Sequence, residues 1–350
     1  MEAEIQQIEM LEQVECDLCG ASESKLQLEA TDWHFCLQGE FAIVQCAQCG
    51  LSFTSPRPKP QSMGQYYPSS YYTHESVGAQ VSGSQGDLEV PTPSVSRSFI
   101  KQCIRSVMLN ETCGLPSKIA GWSAIALQRR KTMTPWRWGL FQHQGRLLDV
   151  GGGGGVLLST LNSDWLLKDR YIVQGIDIDE AAVQCARNLG VDAHVHDFPN
   201  TLFAETEFDV VTMRHSLEHM YSPKAAIQEI YRLLRPGGTI IIEVPNFDSW
   251  GRRIFGDRWS GTDAPRHLYH FTLLTLRQLL ESNGFTVTAR RRWPSRFHGH
   301  LSLDNQRRCY RSQGLSKQAI TRKLLFWRTV LWPFDWFTSG GAISMSATRA

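Results

Sequence analysis

The chain has 350 residues, 42% hydrophobic and 20% charged, with a formal net charge of +2, and a chain this long buries a full core with room for two domains. No cationic-then-apolar stretch opens it, and no run approaches the roughly 20 apolar residues of a spanning helix. Export and membrane insertion are therefore not expected, and a cytoplasmic location is. Nine cysteines, an odd number in a chain without an export signal, favour metal binding over a disulfide framework.

The first element is a pair of knuckles, Cys16-Asp-Leu-Cys19-Gly and Cys46-Ala-Gln-Cys49-Gly. Two C-x-x-C pairs at this separation, each followed by a glycine that permits a tight turn, suit four thiolates around a tetrahedral zinc. Such a site closes with four sulfurs and holds a small fold together without doing chemistry. Four reduced thiols are the alternative; a redox pair is disfavoured because no strand-then-helix pattern surrounds either knuckle. Residues 1–75 are read as this zinc-binding module, including the rigid stretch from Ser55 to Pro60 and Tyr66, Tyr67, Tyr71 and Tyr72. These tyrosines line a substrate mouth or pack between domains. Residues 76–140 are read as a linker rich in Gly, Ser and Pro, then a basic helical connector.

From Arg146 strands alternate with helices. RLLDV is a short buried strand, Gly155 to Leu161 opens a helix, YIVQGID is a second strand, and Asp179 to Leu189 is an amphipathic helix. AHVH and FDVVTMR follow as strands, then a helix from Pro223 to Leu234, an Arg-Pro-Gly-Gly turn and the strand TIIIEV. After a helix ending near Asn283, FTVTARRRW is a sixth strand and GAISMSATRA an antiparallel seventh. This order predicts an α/β fold over residues 141–350, a Rossmann-like sheet with helices on both faces. Ligands of such sheets bind beyond the carboxyl ends of the strands.

Five glycines, 151 to 155, follow Asp149 and Val150 at the first of those ends. A turn without β-carbons lets backbone approach a ligand, and the amides of a helix start favour negative charge. A dinucleotide fingerprint needs G-x-G-x-x-G, but Val156 or Leu157 stands at its third glycine. The run reads instead D-x-G-x-G-x-G, and here the chain resembles the class I S-adenosylmethionine-dependent methyltransferases over about 150 residues. The resemblance implies a cofactor loop of Asp149, Gly151, Gly153 and Gly155, in which Asp149 either touches ligand or only orients the loop. It implies that Asp177 hydrogen-bonds the ribose hydroxyls, with Ile178 beside it, and that Asp197 and Phe198 contact the adenine amine and ring. Arg214, at the end of the fourth strand, is assigned to the cofactor on the same ground. FDVVTMRHSLEHM before Pro223, and LLRPGG before a strand, look like later motifs of the family; Asp209 and the PGG turn are read as architecture.

A narrower resemblance spans nearly the whole chain. Bacterial methyltransferases with an N-terminal C-x-x-C…C-x-x-CG module share a PRP…YY…YY stretch and a W-x-G-x-D-A-P-R-H-L segment. Here that segment runs from Trp259 through Gly261, Asp263, Pro265, Arg266 and His267 to Leu268. Sugar C-methyltransferases of antibiotic pathways are similar in layout. The implied activity is methyl transfer to oxygen or carbon of a sugar, polyketide or other specialised metabolite. Methyltransferases acting on base or amide nitrogen often carry N/D-P-P-Y where this chain has Arg214-His-Ser-Leu217.

A hydroxyl or carbon acceptor must also lose a proton, and histidine is suited to take it at neutral pH. The candidates are His215 and His219 in RHSLEH and His267 and His270 in PRHLYH; His219 and His267 are favoured. His219 with Glu218 also suits a divalent ion, as in some quinone O-methyltransferases that share an LEH stretch. A packing role is the alternative for each histidine.

Residues 293–338 form an insertion before the last strand. From Phe285 to Pro333 there are eleven Lys/Arg against one acid, then the aromatic run LLFWRTVLWPFDWF. Such a segment caps the site, recognises a phosphorylated or nucleotide-linked acceptor, or rests on an anionic membrane surface. The alternative function is a macromolecule methyltransferase that docks RNA or protein through module and insertion. Nucleic acid is disfavoured because Glu12, Glu15, Asp17, Glu23 and Glu29 surround the first knuckle.

Overall fold

The structure is a computed structural model that describes residues 10–68, 139–164, 166–200, 203–293, 296–316, 318–319 and 340–350. The expected linker and connector, Tyr71, Tyr72 and the aromatic run of the insertion lie outside the described residues. Two compact units divide the chain: Met1–Tyr71 with Met213–Arg232 and Ile241–Ala350, and Tyr72–Thr212 with Leu233–Ile240. No helix among the described residues is long and apolar enough to cross a membrane.

The N-terminal residues fold as short antiparallel strands. β1 (Leu11–Glu12) pairs with β5 (Arg57–Pro58), while β2 (Ser24–Thr31), β3 (Glu40–Cys46) and β4 (Ser52–Thr54) form a meander. The two knuckles close alike. The amides of Cys16 and Cys46 donate to the carbonyls of Ala21 and Leu51, and Gly20 and Gly50 donate back to the carbonyls of Cys16 and Cys46. Gly20 and Gly50 adopt φ of 75° and 77° with open space around a β-carbon, so conformation alone demands glycine there.

The alternation expected from Arg146 onward is present. β6 (Gly145–Val150), α1 (Val156–Ser163), β7 (Tyr171–Asp177), α2 (Glu180–Asn188) and β8 (Asp192–Val195) come first. β9 (Phe208–Arg214), α3 (Pro223–Leu233) and β10 (Leu234–Pro245) follow. The chain continues through α4 (Trp250–Phe255), β11 (Tyr269–His270), α5 (Leu273–Ser282), β12 (Phe285–Trp293), α6 (Arg296–Ser312) and β13 (Ala342–Arg349). The main sheet has seven strands in the order β12-β13-β10-β9-β6-β7-β8. β6 lies parallel to β7 and β7 to β8, whereas β13 runs antiparallel to β12. Six of the seven residues of β9 are buried, as is the run from Thr239 to Pro245 in β10. Continuous apolar runs of this kind are what a strand covered on both faces requires. The fold is thus the Rossmann-like α/β arrangement expected from the alternation.

The division into units differs from the boundaries expected at residues 75 and 141. Residues 213–232 and 241–350 group with the cysteine module rather than with the strands before them. Two features of that unit account for this. β11 adds to the module's sheet beside β4, with Tyr269 opposite Phe53 and His270 opposite Ser52. Arg266, fully buried, makes a two-bond pair with Asp32 at 2.8 Å for each bond.

Candidate active site

The glycine loop is built from inside its own unit. The amides of Gly151 and Gly152 donate to the Ile176 carbonyl at 2.9 and 3.2 Å, tying the loop to the end of β7. Gly151, Gly153 and Gly155 adopt φ of 70°, 52° and 73°, the left-handed region that glycine enters without a β-carbon penalty. Gly155 is constrained twice, because a β-carbon there would lie 2.6 Å from that of Ala186 on α2. The last glycine of the run is therefore demanded by helix packing as well as by the turn.

Asp177 stands at the end of β7. One carboxylate oxygen accepts the Gly153 amide at 2.8 Å and the other the Asp179 amide at 3.0 Å. Burial holds its carboxyl above the ordinary range, against these hydrogen bonds, which favour the charge. A carboxylate has about four lone-pair sites, more than these backbone amides fill, so it can still accept from a ribose hydroxyl. Ile178, Val156 and Val195 are large apolar residues left 69%, 45% and 44% exposed. Asp197 is exposed and Phe198 buried. These features fit an adenosyl cofactor: polar acceptors for the sugar beside uncovered apolar surface for a ring. Asp177→Ala is expected to weaken S-adenosylhomocysteine binding at least about tenfold in calorimetry, since an unpaired polar group costs about 1–3 kcal/mol. Unchanged affinity would remove the loop from consideration as the cofactor site.

Asp149 lies beneath the loop, 2% exposed. It accepts the Thr212 hydroxyl at 2.6 Å, and a β-carbon at Gly152 would come within 3.1 Å of its carboxylate. Its carboxylate thus faces Thr212 on β9 and Gly152 of the loop. Asp209 accepts the Arg146 amide at 2.7 Å and pairs with Arg235, an architectural role as expected.

Arg214 closes β9 and falls in the other unit, with the histidines. His215 adopts φ of 49°, sparsely populated for a residue with a side chain. Its Nδ1 lies 3.4 Å from Glu218 and its Nε2 3.4 Å from Glu243. Burial opposes the imidazolium, but the two carboxylates outweigh it and push the pKa up to about 9. Glu218 is 1% exposed; burial pushes its carboxyl up, and the His215 contact more than offsets this and holds it below the ordinary range. His215 thus sits between two carboxylates that favour its imidazolium form.

His219 and His267 meet edge to face, ring centroids 4.7 Å apart. The His219 Nδ1 lies 3.0 Å from the Arg266 carbonyl and 3.1 Å from the Tyr67 hydroxyl. A carbonyl only accepts, so Nδ1 carries the proton and Nε2 the lone pair. Burial, then the neighbouring His267, push the pKa of His219 down to about 4, leaving it neutral at pH 7. His267 likewise faces the Gly261 carbonyl through Nδ1 at 2.9 Å, with Nε2 4.0 Å from Glu218 and 3.9 Å from Asp263. His267 is 6% exposed, whereas His219 is partly exposed. The structure therefore separates the two favoured histidines: one partly exposed, one enclosed between carboxylates. His270 is buried with its ring against Phe247, centroids 4.9 Å apart, which is a packing role.

Among the described residues, two sets of side chains suit a metal. Ligand atoms of Cys16, Cys19, Cys46 and Cys49 lie within 4.8 Å of one another, as do those of Glu218, His219 and His267. The Cys16–Cys49 and Cys19–Cys46 sulfurs are 3.4 and 3.5 Å apart. Tetrahedral zinc with bonds of about 2.3 Å sets its sulfurs at roughly this spacing. The residues that sequence patterns did not single out are Thr212, Asp32 and Glu243. Each is polar in an apolar run or a loop, and its partner is remote in sequence.

The family described as "Methyltransferase domain" matches residues 125–290. A ubiquinone biosynthesis O-methyltransferase of Pseudomonas entomophila is 34% identical over 108 residues, covering 29% of this chain and 44% of that protein. One from Coxiella burnetii is 31% identical over 153 residues, covering 40% and 63%. A solved Haemonchus contortus phosphoethanolamine N-methyltransferase 2, in complex with S-adenosylhomocysteine, covers 74% of this chain and 61% of its own. The two share 18% identity with a TM-score of 0.44. The chain spans about half the length of the curated relatives it matches. Residues 125–290 are thus similar to a methyltransferase domain, and β6 to β10 among them belong to the Rossmann-like sheet.

Proposed function

We propose that this protein transfers a methyl group from S-adenosylmethionine to an oxygen of a small-molecule acceptor. The observation that carries the reading is the tautomer of His219: Nδ1–H engaged by the Arg266 carbonyl, the lone pair on Nε2 and the ring neutral at pH 7. Oxygen is preferred to carbon because relatives named ubiquinone biosynthesis O-methyltransferases align over the domain. The sugar C-methyltransferase layout keeps carbon as the second reading.

The cofactor's sulfonium supplies an already activated methyl group. The loop of Gly151, Gly153 and Gly155 with Asp177, Ile178, Asp197, Phe198 and Arg214 is assigned to holding it, and Asp149 to bracing the loop. The chain's remaining tasks are to align the acceptor, exclude water and take the acceptor's proton at Nε2 of His219. Alignment supplies most of the barrier reduction, and a placed base roughly 10²–10⁴-fold. His267, between Glu218 and Asp263, supports His219 from behind. Cys16, Cys19, Cys46 and Cys49 are assigned to a structural zinc. The cationic insertion, with Arg290, Arg291 and Arg292 exposed beside it on β12, favours a phosphorylated or nucleotide-linked acceptor.

The test is transfer of label from methyl-tritiated S-adenosylmethionine into extract of the source cells, separated into solvent-soluble metabolites, nucleotide sugars, RNA and protein. Label in either small-molecule fraction is the expected result, and the bond it occupies distinguishes oxygen from carbon. Label confined to RNA or protein would overturn the small-molecule reading.

A further inference from the structure

We propose that Asp17, inside the first cysteine knuckle, is a positioning residue for His219; this rests on reading His219 as the base. Between His219 and α3 the chain has only Met220, Tyr221 and Ser222, with no helix or strand of their own to fix them. N-terminal residues hold this bridge instead. One oxygen of Asp17 accepts the Ser222 hydroxyl at 2.7 Å, and the other accepts the Lys224 amide in the first turn of α3 at 2.7 Å. Ser222 in turn accepts the Ala225 amide at 3.1 Å, closing the helix start. Arg57 donates to the Tyr221 carbonyl at 2.9 Å, and the Tyr221 hydroxyl donates to the Pro58 carbonyl at 2.9 Å.

The position of Asp17 is not its own to choose. It lies between Cys16 and Cys19, in a turn closed by the Gly20 amide donating to the Cys16 carbonyl at 2.7 Å, and the knuckle is pinned where the four sulfurs converge. The carboxylate thus transmits the knuckle's placement to Ser222 and Lys224, and these set the direction in which the chain leaves His219. If the bridge rotates, the 3.0 Å contact of His219 Nδ1 with the Arg266 carbonyl is what gives way. The module therefore does more than hold a small fold together: it sets the tautomer and aim of the base. A helix-capping role alone would stabilise α3 without touching the imidazole, and this is what the experiment separates.

Asp17→Ala, Asp17→Asn and the surface control Glu15→Gln are compared as full-length, metal-replete protein. The readouts are S-adenosylhomocysteine calorimetry, tritium transfer into the solvent-soluble extract fraction, and the His219 ring ¹⁵N resonances, assigned with His219→Gln. Asp17→Ala is expected to lower kcat roughly 10–10²-fold, in the range of a misplaced catalytic group. Cofactor affinity stays unchanged, and the His219 resonances leave the Nδ1–H pattern. Asp17→Asn, which can still accept from Lys224 and donate to Ser222, recovers most of both. Should Asp17→Ala not fold, Ser222→Ala tests the same link. Unmoved His219 resonances in Asp17→Ala, or in Ser222→Ala if that variant replaces it, overturn the proposal. If His219→Ala itself keeps turnover, the base reading fails, while the resonances still decide whether Asp17 positions the ring.

Discussion

Replacing His219 by alanine is expected to lower turnover by roughly 10²–10⁴-fold, the usual contribution of a placed general base, while S-adenosylhomocysteine affinity stays at the wild-type value. His219 lies in a different unit from the loop that is assigned to the cofactor. The pH profile gives a second, independent check. Because burial and His267 push the pKa of His219 down to about 4, the basic form persists on acidification well past the ordinary imidazole value of 6.5. The acid limb of kcat/KM, which reports the free enzyme, is therefore expected near pH 4. A wild-type rate in His219→Ala would end the assignment. An acid limb at 6.5 would show instead that the ring is solvated, without the burial that lowers its pKa.

Arg266→Met is expected to destabilise the protein by about 3–5 kcal/mol in urea unfolding, the range for removing one partner of a buried ion pair. Arg266 is 0% exposed. Its guanidinium donates to both oxygens of Asp32, to both of Asp263 at 3.1 and 2.7 Å, and to the Tyr66 carbonyl at 2.9 Å, and it lies over the Phe35 ring at 4.9 Å. Methionine fills similar space but leaves two enclosed carboxylates without a cation. The arginine holds the Asp263 carboxyl far below its ordinary value of 3.8 despite the opposing effect of burial. By linkage, the stability this pair contributes is present above that value and is lost as pH falls below it. In Arg266→Met that acid-side loss is expected to disappear. Adding Asp32→Asn removes one stranded charge and should recover part of the stability. A loss below about 1 kcal/mol in the single variant would show that water or a rearranged loop already compensates these charges.

Much of the fold was legible because its signals are local. The alternation of apolar runs with amphipathic segments marked β6 to β10 within a residue or two. The one clear shift is at β10, whose strand begins at Leu234 and absorbs the Arg-Pro-Gly-Gly turn. The domain boundary was not legible. β11 is only two residues long, too short for any periodicity, yet it carries the 269–270 segment onto the module's sheet. Among the histidines, residue type and spacing nominated four, and nothing in RHSLEH or PRHLYH distinguishes an ion-paired imidazole from a neutral one. That difference comes from Glu218 and Glu243 beside His215 and from burial and the neighbouring His267 at His219.

The sequence by itself determined the parallel sheet, the glycine loop and the four-cysteine knuckles, because each depends on the periodicity and conformational limits of a few consecutive residues. Tertiary structure alone decided that His219 is partly exposed and His267 enclosed, that Asp149 lies beneath its loop, and that Asp32 finds Arg266 across 234 positions of chain. Burial and pairing of charge are set by which surfaces pack together, and that is a property of the folded chain, absent from any short stretch of it.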